Sequence, residues 1–234
     1  MSISLGSLET TLLKLTSAYC SFVNGGKLVT PIFIDRIQDS EGNTIFNNEK
    51  RYCLKCNDIS FEGKEIPKIK SNYKQIFSPQ TAYQMTSILE GVIKRGTGKN
   101  LKDLNLQLAG KTGTTNKNTD TWFIGFTSNL VIGVYVGHDS PKSLGKYETG
   151  SKTALPIFKE FVRKSVNNFQ ARPFKVAKGI KMMVVDANTG KKVHFSTNKT
   201  IIESFKKEKI ENNLQIGIDG SDFKVLKNNI LEFY

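Results

Sequence analysis

LAGKTGTTNKNTDTWFIGF, residues 108–126, is the stretch that decides the fold of this 234-residue chain. Small and apolar residues lead into Lys111, a polar run rich in Asn, Lys and Thr follows, and an apolar run begins again at Trp122. Two such runs on either side of a polar turn predict a β-hairpin. The pattern therefore places a Lys-Thr-Gly triplet, residues 111–113, on the first strand of a hairpin.

The triplet and its neighbours combine a charge, hydroxyl groups and a position without a side chain. Lys111 offers a positive charge to a carboxylate and to proton transfer near a nucleophile. The hydroxyls of Thr112 and Thr114 could donate hydrogen bonds to that carboxylate, with Thr115 as a weaker candidate. Gly113 leaves room for an acyl group along the strand. The backbone N–H of Thr114 could point at a developing oxyanion, so the set suits acyl transfer.

A phosphate-binding loop is the competing interpretation of these residues. A Walker A loop ending in Gly110-Lys111-Thr112 would need a glycine five positions before Gly110, and Asn105 stands there. Gly98 and Lys99 fail in the same way, because Ile93 occupies the position of the first glycine. The sequence therefore argues against a nucleotide-binding loop.

Helix and strand patterns continue on both sides of the hairpin. Apolar residues at helical spacing predict a helix that Asn24-Gly25-Gly26 ends, and a second helix with Ser78 as N-cap and Pro79 at its first position. A third helix is predicted at residues 155–166. Strands are predicted in residues 30–46 around an Asp-Ser-Glu-Gly-Asn turn, and at 130–137, 180–186, 191–195, 214–218 and 224–233.

Several of these segments resemble the class A penicillin-binding proteins. The likeness rests on LAGKTGTTN followed by Asp-x-Trp-Phe-x-Gly-Phe, on residues 5–29, and on SPQTAYQMTSILEGVIKRGTG at 78–98. It covers about residues 5–174. The resemblance implies an α/β fold, in which an antiparallel sheet with strands from Leu106, Trp122 and Leu130 is flanked by helices.

The resemblance also implies a reaction, peptidoglycan cross-linking by serine acyl transfer. A serine attacks the D-Ala-D-Ala carbonyl of a stem peptide, an amine of another stem resolves the acyl-enzyme, and β-lactams acylate the same serine. Lys111 would supply charge beside the nucleophile, while Thr112 and Thr114 would hold the terminal carboxylate. The Thr114 N–H would form part of the oxyanion hole. No metal or organic cofactor is implied.

The nucleophile itself has no convincing candidate in the chain. In the family, Ser-x-x-Lys and Ser-x-Asn precede the segment that opens this sequence. Because 24% of the residues are charged, matches to both motifs are expected by chance. Matches to Ser-x-x-Lys begin at Ser71, Ser143, Ser196, Ser204 and Ser221, and matches to Ser-x-Asn begin at Ser165 and Ser196. We therefore expect the rear part of a transpeptidase domain, inactive alone, with its N-terminal half encoded upstream. The alternative is a non-catalytic remnant or scaffold piece that binds cell-wall polymer or a protein partner.

Composition restricts the partners. A net charge of +13, from 34 Lys and Arg against 21 Asp and Glu, favours anionic partners. The lysines are spread over the chain rather than interleaved with stacking aromatics, so we expect no nucleic acid. The sequence has no apolar run long enough for a membrane span and no signal-peptide pattern. Because the family is anchored in the cytoplasmic membrane and faces the periplasm, we expect the anchor upstream.

The predicted organisation has two parts. Residues 1–173 form the transpeptidase part, with a variable insertion at about 47–77, and residues 174–234 form a small β-rich extension suited to packing or partner contact. The insertion contains Cys53 and Cys56, which lack the second ligand pair of a structural zinc site, and neither His138 nor His194 is close in sequence. We interpret the cysteines as a surface pair, with a local disulfide left open.

Overall fold

The computed structural model describes residues 8–49, 52–54, 68–70, 73–165, 172–193, 197 and 199–207. They form a mixed α/β structure with antiparallel sheets, which confirms the predicted fold class. The elements are α1 (Leu12–Val23), β1 (Arg36–Gln38), β2 (Thr44–Asn47), β3 (Tyr52–Leu54), β4 (Lys68–Lys70), α2 (Pro79–Arg95), β5 (Ala109–Thr114), β6 (Asp120–Phe126), β7 (Val131–Gly137), α3 (Ala154–Ser165), β8 (Ile180–Asp186) and β9 (Thr200–Lys206).

A three-stranded sheet of order β5-β6-β7 carries the Lys-Thr-Gly triplet. The predicted hairpin is confirmed: Lys111 pairs with Ile124 and Gly113 with Trp122, in an unbroken register. The first strand begins at Ala109 and not at Leu106, because β6 ends at Phe126 and leaves the earlier residues without a strand partner. No other described strand pairs with β5, so one edge of this strand is open.

The predicted end of α1 and the predicted start of α2 are confirmed, and α3 lies one residue earlier than predicted. The Ser78 side chain accepts a hydrogen bond from the Thr81 N–H, and Pro79 occupies the first helical position of α2. In α1, the Thr11 side chain accepts from the Lys14 N–H, and the helix ends at Asn24. Capping satisfies N–H groups that the first turn of a helix leaves unpaired, which is why these boundaries can be predicted locally.

Aromatic side chains hold helices against both faces of the central sheet. On one face, Phe123 packs edge-on against Phe158 of α3, with 4.8 Å between ring centroids. On the other face, Phe126 packs with Leu89 of α2 and with Phe174, whose ring lies 5.7 Å away. All of these side chains are buried. Alternate residues of β6 therefore belong to separate cores, as strand geometry requires.

The hairpin predicted after residue 173 is confirmed in part. Residues 191–193 pair with residues 184–186, with hydrogen bonds from the Asp186 N–H to the Lys191 carbonyl oxygen and from the Val193 N–H to the Val184 carbonyl oxygen, but the seven-residue partner of β8 is β9. The Asp186 carboxylate accepts hydrogen bonds from the N–H groups of Asn188 and Thr189 and holds a tight turn. Beyond it Lys192 forms a bridge with Val185, and β9 then pairs with β8 along its whole length. The strands predicted at 214–218 and 224–233 lie outside the described residues.

The predicted insertion contains a second small sheet, in which Cys53 on β3 pairs with Ile69 on β4. Cys56 lies outside the described residues, so the predicted surface pair does too. The strands β1 and β2 confirm the hairpin around residues 39–43. Within the described ranges, no helix is both long and apolar enough to cross a membrane.

Candidate active site

The open edge of β5 exposes a backbone donor next to the triplet. The Thr115 N–H donates to the Asp120 carbonyl oxygen at 3.0 Å, so that residue faces β6. Successive backbone groups of a strand point in opposite directions, which turns the Thr114 N–H away from β6 and towards the open edge. An N–H at such a position can donate to an oxyanion on a ligand lying along the strand.

The charge of Lys111 lies at the same edge. Its Nζ donates to the Thr112 carbonyl oxygen at 2.9 Å, and the side chain is exposed. None of the ion pairs in the described part of the chain uses this ammonium. The positive charge therefore remains available to a ligand carboxylate.

The hydroxyl groups of Thr112 and Thr114 have hydrogen-bond partners within the chain. Thr114 Oγ1 accepts a hydrogen bond from the Gly150 N–H at 3.1 Å, and Thr112 Oγ1 lies 3.0 Å from Thr97 Oγ1. Strand alternation places both on the face of the sheet opposite Lys111. Because the Gly150 N–H uses a lone pair of Thr114, the hydroxyl hydrogen of Thr114 is left to donate.

Thr115, the weaker candidate of the sequence, belongs to the turn of the hairpin. Its Oγ1 lies 2.8 Å from Thr119 Oγ1 and accepts from the Asp120 N–H at 2.8 Å. The Asp120 carboxylate in turn accepts from the Tyr135 hydroxyl at 2.6 Å. That hydrogen bond, followed by burial, raises the pKa of Tyr135. These contacts fix the turn and give Thr115 a structural role.

Gly113 has a packing role besides the one the sequence suggests. A Cβ at this position would lie 3.1 Å from Trp122 Cβ, and the Trp122 ring packs on Tyr135 with 4.8 Å between centroids. The tight approach leaves little space for any side chain. The glycine of the triplet is therefore matched to the tryptophan opposite it on β6.

Gly150 and Thr97 contact the triplet from distant parts of the sequence, and sequence reasoning missed both. A Cβ at Gly150 would lie 2.6 Å from the Gly113 carbonyl oxygen and even closer to that of Trp122. The loop before α3 thus lies directly against β5 and β6. The one available signal was a glycine five residues before a predicted helix, which does not say what the glycine contacts.

The described serines of the chance motifs do not join this site. Ser204 lies on β9, where its carbonyl accepts from Gln84 of α2, and the Ser143 hydroxyl accepts from the Gly145 N–H. None of the hydrogen bonds found for the described residues connects either serine to Lys111. Ser71, Ser196 and Ser221 lie outside the described ranges.

Comparison with known proteins gives consistent results. The family described as penicillin binding protein transpeptidase domain matches residues 1–163. Penicillin-binding protein 1A of Rickettsia prowazekii is 44% identical over 214 residues, which cover 90% of this chain and 27% of the relative. The same protein of Rickettsia bellii is 40% identical over 232 residues, 97% of this chain and 28% of the relative. The chain thus spans little more than a quarter of these curated relatives.

Solved structures agree in fold. The crystal structure of penicillin-binding protein 1A from Haemophilus influenzae superposes with a TM-score of 0.70 at 31% identity, covering 88% of this chain and 33% of that one. PonA1 from Mycobacterium tuberculosis, at 22% identity and a TM-score of 0.57, shares the fold over 74% of this chain and 43% of its own. The described elements are therefore those of a known domain type.

Proposed function

The chain belongs to the penicillin-binding protein transpeptidase family, and we propose that it supplies the Lys-Thr-Gly strand of a peptidoglycan transpeptidase site. The observation that carries the proposal is the open edge of β5. There the outward Thr114 N–H and the Lys111 ammonium, which forms no ion pair among the described residues, lie on one strand. A donor for an oxyanion beside a charge for a carboxylate is what acyl transfer on a peptide ending in a carboxylate requires.

The proposed reaction is serine acyl transfer at the D-Ala-D-Ala terminus of a stem peptide. The serine oxygen attacks the carbonyl carbon, and the developing oxyanion accepts a hydrogen bond from the Thr114 N–H. D-Alanine leaves as its nitrogen gains a proton, and an amine of a second stem peptide then displaces the serine. Lys111 would attract the terminal carboxylate, with the Thr112 and Thr114 hydroxyls as further donors. β-Lactams would acylate the same serine.

We propose that the nucleophile comes from a part of the whole protein outside this sequence. The hydrogen bonds of Ser143 and Ser204 do not reach the Lys-Thr-Gly strand, and the relatives are nearly four times longer than the matched segment. That part would also cover exposed apolar side chains on α1 and in the following loop. Among them are Leu13, Ile32 and Phe33. Membrane anchoring and a periplasmic location belong to the same proposal.

We further propose that residues 1–173 and 174–234 are separate units of the domain organisation, with residues 47–77 as an insertion. The family match ends at residue 163, and β8 and β9 form a sheet of their own. Their hairpin lies along α2, where Lys206 Nζ donates to Thr81 Oγ1 and Arg95 pairs with Glu203. The extension would therefore support α2.

Penicillin labelling tests the proposed site. In the whole protein, Lys111→Ala should slow acylation by a fluorescent penicillin by about 10²–10³-fold, since it deletes a preorganised electrostatic contact. Lys142→Ala, at an exposed loop position, is the matched control and should react at the parental rate. Thr114→Ala should cost less than Lys111→Ala, because it keeps the backbone N–H. Thr114→Pro deletes the N–H and should be at least as damaging as Lys111→Ala.

The same assay separates this proposal from a non-catalytic scaffold. The chain alone should form no covalent adduct that survives denaturation, whereas the whole protein should form one per molecule. A whole protein that takes no label would favour a scaffold. Parental labelling of Lys111→Ala would show that the triplet is a chance match, and labelling of the isolated chain would place the nucleophile among its own serines.

A further inference from the structure

A cavity of about 810 Å³ lies away from the triplet residues, where the end of α1, the first turn of α2 and the turn after β6 meet the segment of residues 172–178. Four cationic side chains line it: Lys27, Arg172, Lys175 and Lys178. Not one Asp or Glu is among the described residues of its wall. The cavity is therefore a concentrated positive surface, unlike the scattered lysines elsewhere.

Among the described residues, none of these four charges is neutralised by an ion pair. The carboxylates of the ion pairs there are Glu90, Glu203, Asp103 and Glu160, and their partners are other lysines and arginines. The Lys27 ammonium lies over the ring of Tyr73, at 5.9 Å from the centroid. Like charges around one cavity repel each other, and an anionic ligand would relieve that repulsion.

Residues 172–177 form no regular secondary structure, and hydrogen bonds hold the segment of residues 172–178 at both ends, the first from the Arg172 N–H to Ser128 Oγ. The Phe174 ring is buried against Phe126, and its N–H donates to Gln107 Oε1 at 3.2 Å. At the other end, the Lys178 carbonyl oxygen accepts from Gln80 Nε2 at 2.8 Å. A segment tied in this way loses little conformational entropy when a ligand binds it.

Between these hydrogen bonds, Lys175 and Val176 have free backbone groups. Neither the N–H nor the carbonyl of Lys175 or Val176 has a hydrogen-bond partner anywhere in the described part of the chain. A backbone with free donors and acceptors can pair with an added strand. Phosphate or carbohydrate polyanions match the charges but do not offer the regular alternation of N–H and C=O that the segment can pair with.

The cavity also has an apolar component. Phe22 and Tyr83 contribute aromatic side chains to its wall, and Val176 is 47% exposed beside the cations. A ligand that fits must therefore combine carboxylates, apolar side chains and a backbone. Such a combination is typical of a peptide with acidic and apolar residues in alternation.

We propose that this cavity binds an extended acidic peptide segment of a protein partner, which pairs its backbone with Lys175 and Val176 and directs its carboxylates to the four cations. The site is separate from the Lys-Thr-Gly strand and does not depend on transpeptidase activity. It gives the cationic residues of the 172–178 segment a role in recruiting a partner.

A set of synthetic peptides tests charge and backbone separately. The chain is attached at low density to a sensor surface, which keeps copies apart, and is exposed to an eight-residue peptide that alternates Glu and Val. We expect saturable binding that weakens with salt, and at least about tenfold weaker binding of the Gln-Val counterpart. N-methylation at the Glu positions or at the Val positions removes alternate N–H groups. One of these two sets should weaken binding about tenfold, because only one row of N–H groups faces the partner strand.

Protein variants provide the matched control. Arg172→Glu, Lys175→Glu and Lys178→Glu together should abolish binding. Lys14→Glu, Lys102→Glu and Lys142→Glu, at exposed positions outside the cavity, change the net charge equally and should bind like the parent. Equal binding of both N-methylated peptides, binding of inorganic polyphosphate but not of the peptide, or equal loss in both triple variants would overturn the proposal. The peptide arms remain informative if a triple variant fails to fold.

Discussion

Replacing Gly150 with alanine would test how tightly the loop before α3 is fitted to the Lys-Thr-Gly strand. The φ angle of Gly150 lies outside the left-handed region, so an alanine has no conformational penalty there. The new Cβ would instead lie 2.6 Å from the Gly113 carbonyl oxygen, and still nearer to the Trp122 carbonyl oxygen. Both obstacles are backbone atoms within a paired ladder and cannot rotate away, so the loop must move.

The cost follows from two effects. Overpacking of a fitted site typically destabilises by about 1–3 kcal/mol. Movement of the loop also lengthens the hydrogen bond from the Gly150 N–H to Thr114 Oγ1, now 3.1 Å, and such a bond contributes about 0.5–1.5 kcal/mol. We therefore expect Gly150→Ala to lower the free energy of unfolding by about 1.5–4.5 kcal/mol.

The measurement is urea unfolding followed by the fluorescence of Trp122, the single tryptophan of the chain. Two variants calibrate it. Thr114→Val removes the acceptor without adding bulk and should cost about 1–2 kcal/mol. Ser151→Ala, next to Gly150, removes only a hydroxyl that pairs with Thr149 and should cost less than about 1 kcal/mol. If the free energy of unfolding of Gly150→Ala lies within about 0.5 kcal/mol of the parental value, the inferred close fit between loop and strand is refuted.

Three further outcomes are expected. Phe158→Ala should destabilise the chain by about 3–5 kcal/mol in urea unfolding because the ring is fully buried, and Phe161→Ala on the same helix, 49% exposed, by less than about 1.5 kcal/mol; equal costs would contradict the core described above. The hydrogen bond from Lys159 lowers the pKa of Asp103, so Lys159→Met should raise this pKa towards its ordinary value in an NMR titration. The stabilisation from the lowered pKa is present above the pKa of the unfolded chain and is lost as the pH falls through the folded value, and an unchanged pKa would refute the assigned cause. The isolated chain should self-associate through its exposed apolar side chains, and monomers at high concentration in analytical ultracentrifugation would disprove this.

Local patterns in the sequence predicted most of the secondary structure. Capping residues such as Ser78 act within one helical turn, and the polar run at 115–119 separates strands that pair with each other. The same local reasoning extended β5 to Leu106, because apolar character was visible and the end of its partner strand was not. Strand limits depend on the partner, so sequence alone places them poorly.

Long-range partners were the part that could not be predicted. The second strand of the C-terminal hairpin was assigned to residues 191–195 because those residues directly follow a turn. Residues 191–193 do pair with β8, but β9, which follows later in the chain, also pairs with it over all seven residues. β9 also contacts α2 through Ser204 and Lys206, and no period or turn signal in the sequence encodes such a contact.

The candidate site shows both what a short motif predicts and what depends on residues elsewhere in the chain. Sequence identified Lys111 and Thr114 from a short motif, but the groups that fix β5 come from elsewhere in the chain. Gly150 donates to the Thr114 hydroxyl from the loop before α3, and on β6 the Thr121 hydroxyl lies 2.5 Å from that of Thr153. Phe123 packs against α3 beneath the same strands. Since β6 lies along one side of β5, and α3 and α2 cover opposite faces of the sheet, the outer edge of β5 is left open. The proposed oxyanion donor, the Thr114 N–H, would need no rearrangement when charge develops, and that is the condition under which electrostatic stabilisation is strongest.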